Sequence, residues 1–147
     1  MGEAIDWDDG TNSVRWRVEM RAVVEEYLAR EGVEHAAVPL MPKFALVPYV
    51  SLWHCKPDVW AIAGDLPTDY ILLPAGTQPR AALRAFAERW ARGARHMLDG
   101  TPNPEGSTGT PNDREGQRAL AGPLGRRASI LLAWSADDDM WESNTNR

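Results

Sequence analysis

Apolar residues recur along this chain at helical spacing, then at strand spacing, then at helical spacing again. From Ser13 to Glu31 the apolar positions Trp16, Met20, Val23 and Tyr27 fall on one helical face. Asn12 or Ser13 can cap the start of that helix, and Gly32 can close it. The run Phe44–His54 is apolar at both alternating sets of positions, the pattern of a strand covered on both faces. Pro48 within it cannot donate to a ladder, so an edge or a bulge is expected there. Lys56-Pro57-Asp58 reads as a turn and Val59–Ala63 as a second strand, a hairpin whose simplest register sets Trp53 opposite Trp60. A short third strand is expected near Ile71-Leu72-Leu73. Thr77 can cap a helix with Pro79 in its first turn and Leu83, Phe86, Trp90, Ala94 and Met97 as its stripe. Leu120 onward is helical again, with a break expected at Gly122-Pro123 and a last stripe of Leu124, Ala128, Leu131 and Trp134.

The order helix, hairpin, helix, helix defines an α+β fold, a small antiparallel sheet of two or three strands flanked by three to four helices. At 147 residues the chain is long enough for one core, and a single domain over 1–147 is expected. Residues 1–12, acidic and turn-rich, are expected to be loose. The Gly-, Pro- and Thr-rich segment 99–116 is expected to be a mobile loop.

Composition narrows the function classes. A net charge of −5 leaves no basic surplus to neutralise phosphates, so nucleic acid is not an expected partner. Only Lys43 and Lys56 among the 16 basic residues are lysines, which reflects coding bias more than function. The start Met1–Gly10 lacks a basic n-region and an apolar core, and no run approaches the length of a membrane helix. A lone Cys55 fits a reducing compartment. A bacterial cytoplasmic protein without membrane contact is expected. Seven tryptophans, at 7, 16, 53, 60, 90, 134 and 141, are many for this length. They serve equally as core fillers and as interface anchors.

Four stretches carry a resemblance: Val47–Trp53; Trp60–Ile71; Pro79–Trp90; and Arg127–Trp134 followed by Asp137-Asp138 and Trp141. With them the chain resembles a small bacterial family of uncharacterised proteins that share a domain of unknown function. The likeness runs from about the first helix to the C-terminal tail, with 99–116 outside it. No activity comes with the family, so it implies no catalytic or binding roles.

The residues themselves offer three places for chemistry. In Gly64-Asp65-Leu66-Pro67-Thr68-Asp69-Tyr70-Ile71, Asp65 is placed to accept from the Thr68 or Asp69 N–H and pin a corner. The functional alternative makes Asp65 and Asp69 an acid/base pair or a hard-cation site, in a pocket with Tyr70 and His54. No HExxH or D-x-D-x-D-G frame supports it, and the structural reading is the stronger. His54-Cys55 could be base and nucleophile, but neighbours in a strand point to opposite faces. His35 and His96 complete no zinc-ligand spacing. No phosphate loop or nucleophile elbow is present. No catalytic residue, cofactor or metal is therefore expected.

The third place is the two chain ends. Asp6-Trp7-Asp8-Asp9 and Asp137-Asp138-Asp139-Met140-Trp141-Glu142 each set a tryptophan among carboxylates, which suits a basic protein partner. The competing reading is that Trp141 folds back onto the core and the aspartates are solvated, cap a helix or pair with arginines of the 80–95 helix. The candidate binding residues are Trp7, Asp65, Asp69, Asp137, Asp138, Asp139 and Trp141. The expected function is non-enzymatic protein binding, in the concrete form of a toxin-neutralising immunity protein or an adaptor. A small enzyme or ligand-binding domain at the 64–70 turn is the alternative.

Overall fold

A computed structural model describes residues 5–33, 37–103 and 114–145. The chain forms two compact units, Met1–Pro79 and Arg80–Arg147.

The first unit opens with helix α1 (Gly10–Arg30). Its N-cap is Asp9, whose carboxylate accepts from the N–H of Thr11 at 2.8 Å and of Asn12 at 3.4 Å. The helix therefore begins three residues before Ser13, inside the segment expected to be loose. An aspartate caps as well as the asparagine or serine proposed from sequence, and here it comes first along the chain. Asp6 reinforces the entry: its carboxylate takes the Asp8 N–H, and its carbonyl takes the Asn12 side-chain amide. Gly32, at φ 73°, ends the helix as expected, and Val33 N–H returns to Leu28 O. The inward stripe is Trp16, Met20, Val24, Tyr27 and Leu28; Val24 is fully buried, and Val23 faces out.

Four strands follow: β1 (Phe44–Leu46), β2 (Val50–Lys56), β3 (Val59–Gly64) and β4 (Leu66–Leu72). They form one antiparallel sheet in the order β1-β2-β3-β4, each strand beside its neighbour in sequence. The run read as one strand from Phe44 to His54 is divided at Val47–Tyr49, around a cis Val47–Pro48 bond. The missing proline N–H sits in the connection between two strands, where no ladder needs it.

The hairpin register differs by one residue from the simplest one. Trp53 lies opposite Ala61, and His54 opposite Trp60. The turn closes at Lys56↔Val59, which by itself would set Trp53 opposite Ile62, and the bulge between His54 and Lys56 brings Trp53 back one residue, to Ala61. The two tryptophans consequently point to opposite faces. Trp53 joins Val24, Tyr27, Leu28, Val38, Cys55, Val59, Ala61 and Ala63 in the cluster between α1 and the sheet. Within it Trp53 donates its indole N–H to Ser51 Oγ, and Ser51 donates to Ala63 O, both at 2.8 Å. The alternate set, Val50, Leu52, Trp60 and Ile62, is buried as well. A sheet buried on both faces is what the unbroken apolar run anticipated.

The second unit is helical: α2 (Pro79–Asp99), α3 (Arg114–Ser135) and α4 (Asp138–Thr145). All five residues of the expected α2 stripe are buried. Thr77 does not cap α2. Its hydroxyl donates to Pro74 O at 2.6 Å in the preceding turn, and Pro79 is the first helical residue. α3 runs through Pro123 without a break. The Ala119 carbonyl that Pro123 cannot serve lies on an exposed turn, where water can reach it. Residues 104–113 of the expected loop lie outside the described residues, as do 1–4 and His35.

Candidate functional site

The sequence from Gly64 to Ile71 is the end of β3, a single turn residue, Asp65, and the edge strand β4. Gly64 stands at φ 153°, and a Cβ there would lie 2.3 Å from the Tyr49 carbonyl oxygen. The next residue explains that closeness: Asp65 N–H donates to the same oxygen at 3.0 Å. The β3–β4 turn is thus tied by backbone to the end of the β1–β2 connection, which excludes any residue with a side chain at position 64. Asp65 is exposed at that turn. Thr68 and Asp69, expected to donate to its carboxylate from a turn, belong instead to the extended β4.

The buried carboxylate is Asp69, 3% exposed. Its Oδ1 accepts from the Tyr70 N–H at 2.9 Å and from the Tyr27 hydroxyl of α1 at 3.4 Å. Tyr27 and Tyr70 also meet edge to face, with ring centroids 6.1 Å apart. The hydrogen-bond pattern of β4 explains the first contact. Leu73 N–H donates to Asp58 O, so in an antiparallel ladder Ile71 and Asp69 direct their backbone groups to β3, and Thr68, Tyr70 and Leu72 direct theirs outward. Asp69 occupies the outward donor of Tyr70, and Pro67 has no N–H to offer. The Asp69 side chain thereby blunts the sheet edge at Tyr70.

Asp65 lies exposed in the turn before β4, whereas Asp69 lies buried inside the strand. His54 is two strands across from β4, stacked flat on Trp60 with centroids 4.4 Å apart, and its Nε2 faces Pro57 O at 3.2 Å. Cys55 points to the other face, into the α1 cluster, where burial pushes its thiol up to about 11. At neutral pH it is a protonated core side chain and a poor nucleophile. The indole N–H of Trp60 is buried and has no hydrogen-bond partner among the described residues. Among the described residues, no three of His, Cys, Asp and Glu are grouped so as to hold a metal ion.

The acidic ends are built into helix termini. Trp7 is half-buried, between Asp6 and Asp9, which organise the start of α1. In the second unit Asp137 accepts the Met140 N–H at 3.2 Å and caps α4. Asp138 pairs with Arg80. Trp141 is 9% exposed and donates its indole N–H to Trp134 O at 2.9 Å. Asp139 is exposed in the first turn of α4, where a negative charge suits the helix dipole. In the C-terminal run Trp141 thus folds back, Asp137 caps a helix and Asp138 pairs with an arginine.

Sequence reasoning passed over a different place. Pro39-Leu40-Met41-Pro42 connects α1 to the sheet, and Leu40 and Met41 are 78% and 58% exposed. Their backbone is held at both ends. Arg21 of α1 donates to Val38 O and Pro39 O at 2.9–3.2 Å, and Lys43 N–H donates to Leu52 O at 2.8 Å. Just upstream, a groove of about 340 Å³ lies between Arg21, Glu25, Leu28 and Ala29 of α1 and the chain at Val33, Ala37 and Val38. None of the residues singled out from sequence lines it. The available signal was two large apolar residues enclosed by prolines, a pattern that has no place in a strand or a helix.

These features define an α+β protein with an antiparallel four-stranded meander and a helical second unit. Among the described residues, no helix is long and apolar enough to cross a membrane. The chain belongs to the family described as Domain of unknown function (DUF4826), whose model matches residues 11–141. No curated protein and no solved structure matches it.

Proposed function

We propose that this chain is a non-enzymatic protein-binding protein of bacteria, an immunity protein or adaptor, and that Leu40 and Met41 are its anchor. The supporting observation is the Pro39–Pro42 loop. Two adjacent large apolar side chains point to solvent from a backbone fastened to α1 and to the sheet. The prolines fix φ at 39 and 42 and confine Val38 and Met41 to extended conformations. Little conformational freedom is left to lose on binding, the condition under which a small apolar knob contributes affinity. Methionine adapts its shape to a partner pocket. The groups an enzyme would use are engaged otherwise: Asp69 by Tyr27 and Tyr70, Asp137 by a helix cap, Asp138 by Arg80, and Cys55 by burial. Net charge and acidic termini favour a basic partner.

The test is affinity capture from the native host with the wild-type chain and with a Leu40→Asp, Met41→Asp double variant, followed by reconstitution with the purified partner. A protein retained by the wild type and lost by a folded variant supports the reading. Identical recovery with both chains overturns the anchor assignment.

A further inference from the structure

We infer that Met41 is a reversible oxidation site, whose conversion to the sulfoxide releases the partner; the release rests on the anchor reading above, the site itself does not. Among the described residues, Met97 is 4% exposed on the inward stripe of α2, and Met20 packs against the cluster between α1 and the sheet. Met140 is half-buried. Met41 is 58% exposed, so its thioether is the sulfur that a dissolved peroxide reaches first. The thiol does not compete for the oxidant. Cys55 is buried, and burial pushes it up to about 11, so the thiolate that would attack a peroxide is scarce at neutral pH.

The step is a two-electron oxygen transfer from hydrogen peroxide. A lone pair of the Met41 sulfur attacks one peroxide oxygen, the O–O bond breaks and an S–O bond forms. The hydroxide set free takes up a proton and leaves as water. A dithiol reductant reverses the change, removing the oxygen as water and becoming a disulfide. The fold tolerates the sulfoxide, because the loop is held by groups other than this side chain. The Val38 and Pro39 carbonyls rest on Arg21, and the Lys43 N–H on Leu52 O. What changes is the surface. A flexible apolar tip becomes polar, and an apolar partner pocket strips its S–O dipole of water without replacing the lost hydrogen bonds.

The site is tested on the isolated chain, treated with graded hydrogen peroxide and read by peptide mass spectrometry, for wild type and Met41→Leu. One oxygen is expected on the Met41 peptide while Met20, Met97 and Met140 are still unmodified, with the thermal midpoint unchanged. Oxidation of the buried methionines in step with Met41, or a midpoint that falls as its sulfoxide forms, would overturn the site. The switch is read after the peroxide is removed, with the purified partner from the capture experiment. Binding is expected to weaken about tenfold on oxidation, as for the loss of one anchor side chain. It should return after treatment with methionine sulfoxide reductase and a dithiol, and peroxide-treated Met41→Leu should bind undiminished. Full binding by the sulfoxide, where the Leu40→Asp, Met41→Asp chain does not bind, would overturn the switch and leave the anchor standing. Full binding by that double variant would overturn the anchor and the switch with it, while the order of oxidation still decides the site.

Discussion

At the scale of single residues, two aspartates four positions apart have opposite environments, and the difference sets their expected behaviour. Asp69→Ala removes the acceptor of a buried hydroxyl and of a backbone N–H, and is expected to cost about 2–3 kcal/mol in urea unfolding. Asp65→Asn, on the exposed turn, should cost well under 1 kcal/mol. If the order reverses, the assignment of the buried acceptor is wrong. Sequence pointed to both carboxylates without separating their environments, because it could not tell a turn from an edge strand. It also placed Val23 on the inward face, whereas Val24, which follows Met20 at helical spacing equally well, is the buried one. Cys55 makes a separate expectation. Its folded value, about 11, lies above the ordinary 9.0 because burial disfavours the thiolate. The stability it contributes is full below pH 9 and is lost as pH rises through about 11. A thiol reagent should accordingly label the native chain slowly at pH 8 and the denatured chain at once; equal rates would contradict the burial.

Whole elements were more legible than their ends. The three long helices and the strands β2 and β3 follow from apolar period alone, since burying a face demands that period whatever the tertiary detail. What failed were local rules with more than one solution. Asp9 pre-empted Asn12 and Ser13 as cap, the turn closed by Lys56 and Val59 displaced the Trp53 register, and Pro123 sits inside α3 instead of ending it. The last yields a test. Pro123→Ala restores an N–H to the helix on an exposed face and is expected to stabilise the chain by about 1–3 kcal/mol. A lower thermal midpoint would mean that the proline positions the second half of α3 for packing. Gly64→Ala carries the opposite sign: its Cβ would press on a carbonyl oxygen that the next residue also needs. Loss of at least 1–3 kcal/mol, read from the same unfolding curves, is the expected result.

On the scale of the whole molecule, charge and anchor separate kinetically. Replacing Asp137, Asp138 and Asp139 with Asn moves the net charge from −5 to −2. Asparagine caps a helix about as well as aspartate, so the fold should survive, with only the exposed Arg80 pair lost. Association with a basic partner should slow, and its salt dependence should flatten. The Leu40 and Met41 substitutions should instead raise the dissociation rate and leave the association rate nearly as it was. Stopped-flow measurement of both rates at two salt concentrations distinguishes the two effects. The acidic termini were visible in the sequence and the apolar loop was not, because whether Leu40 and Met41 point inward or outward depends on the Arg21 tether, a contact made across 17 residues.

The order of the sheet, each strand beside its predecessor, also bears on how the protein is made. No strand waits for a partner from further down the chain, so loop closure is short at every step. As the chain leaves the ribosome, α1, then β2 on β1, then β3 and β4 can be added in the order of synthesis, each on a surface already formed. The sheet is complete by Leu72, before α2 has been made. Chains stalled with residues 1–79 outside the exit tunnel should therefore already shield Cys55 from a thiol reagent. Labelling as fast as in denaturant would show that the sheet assembles only after release.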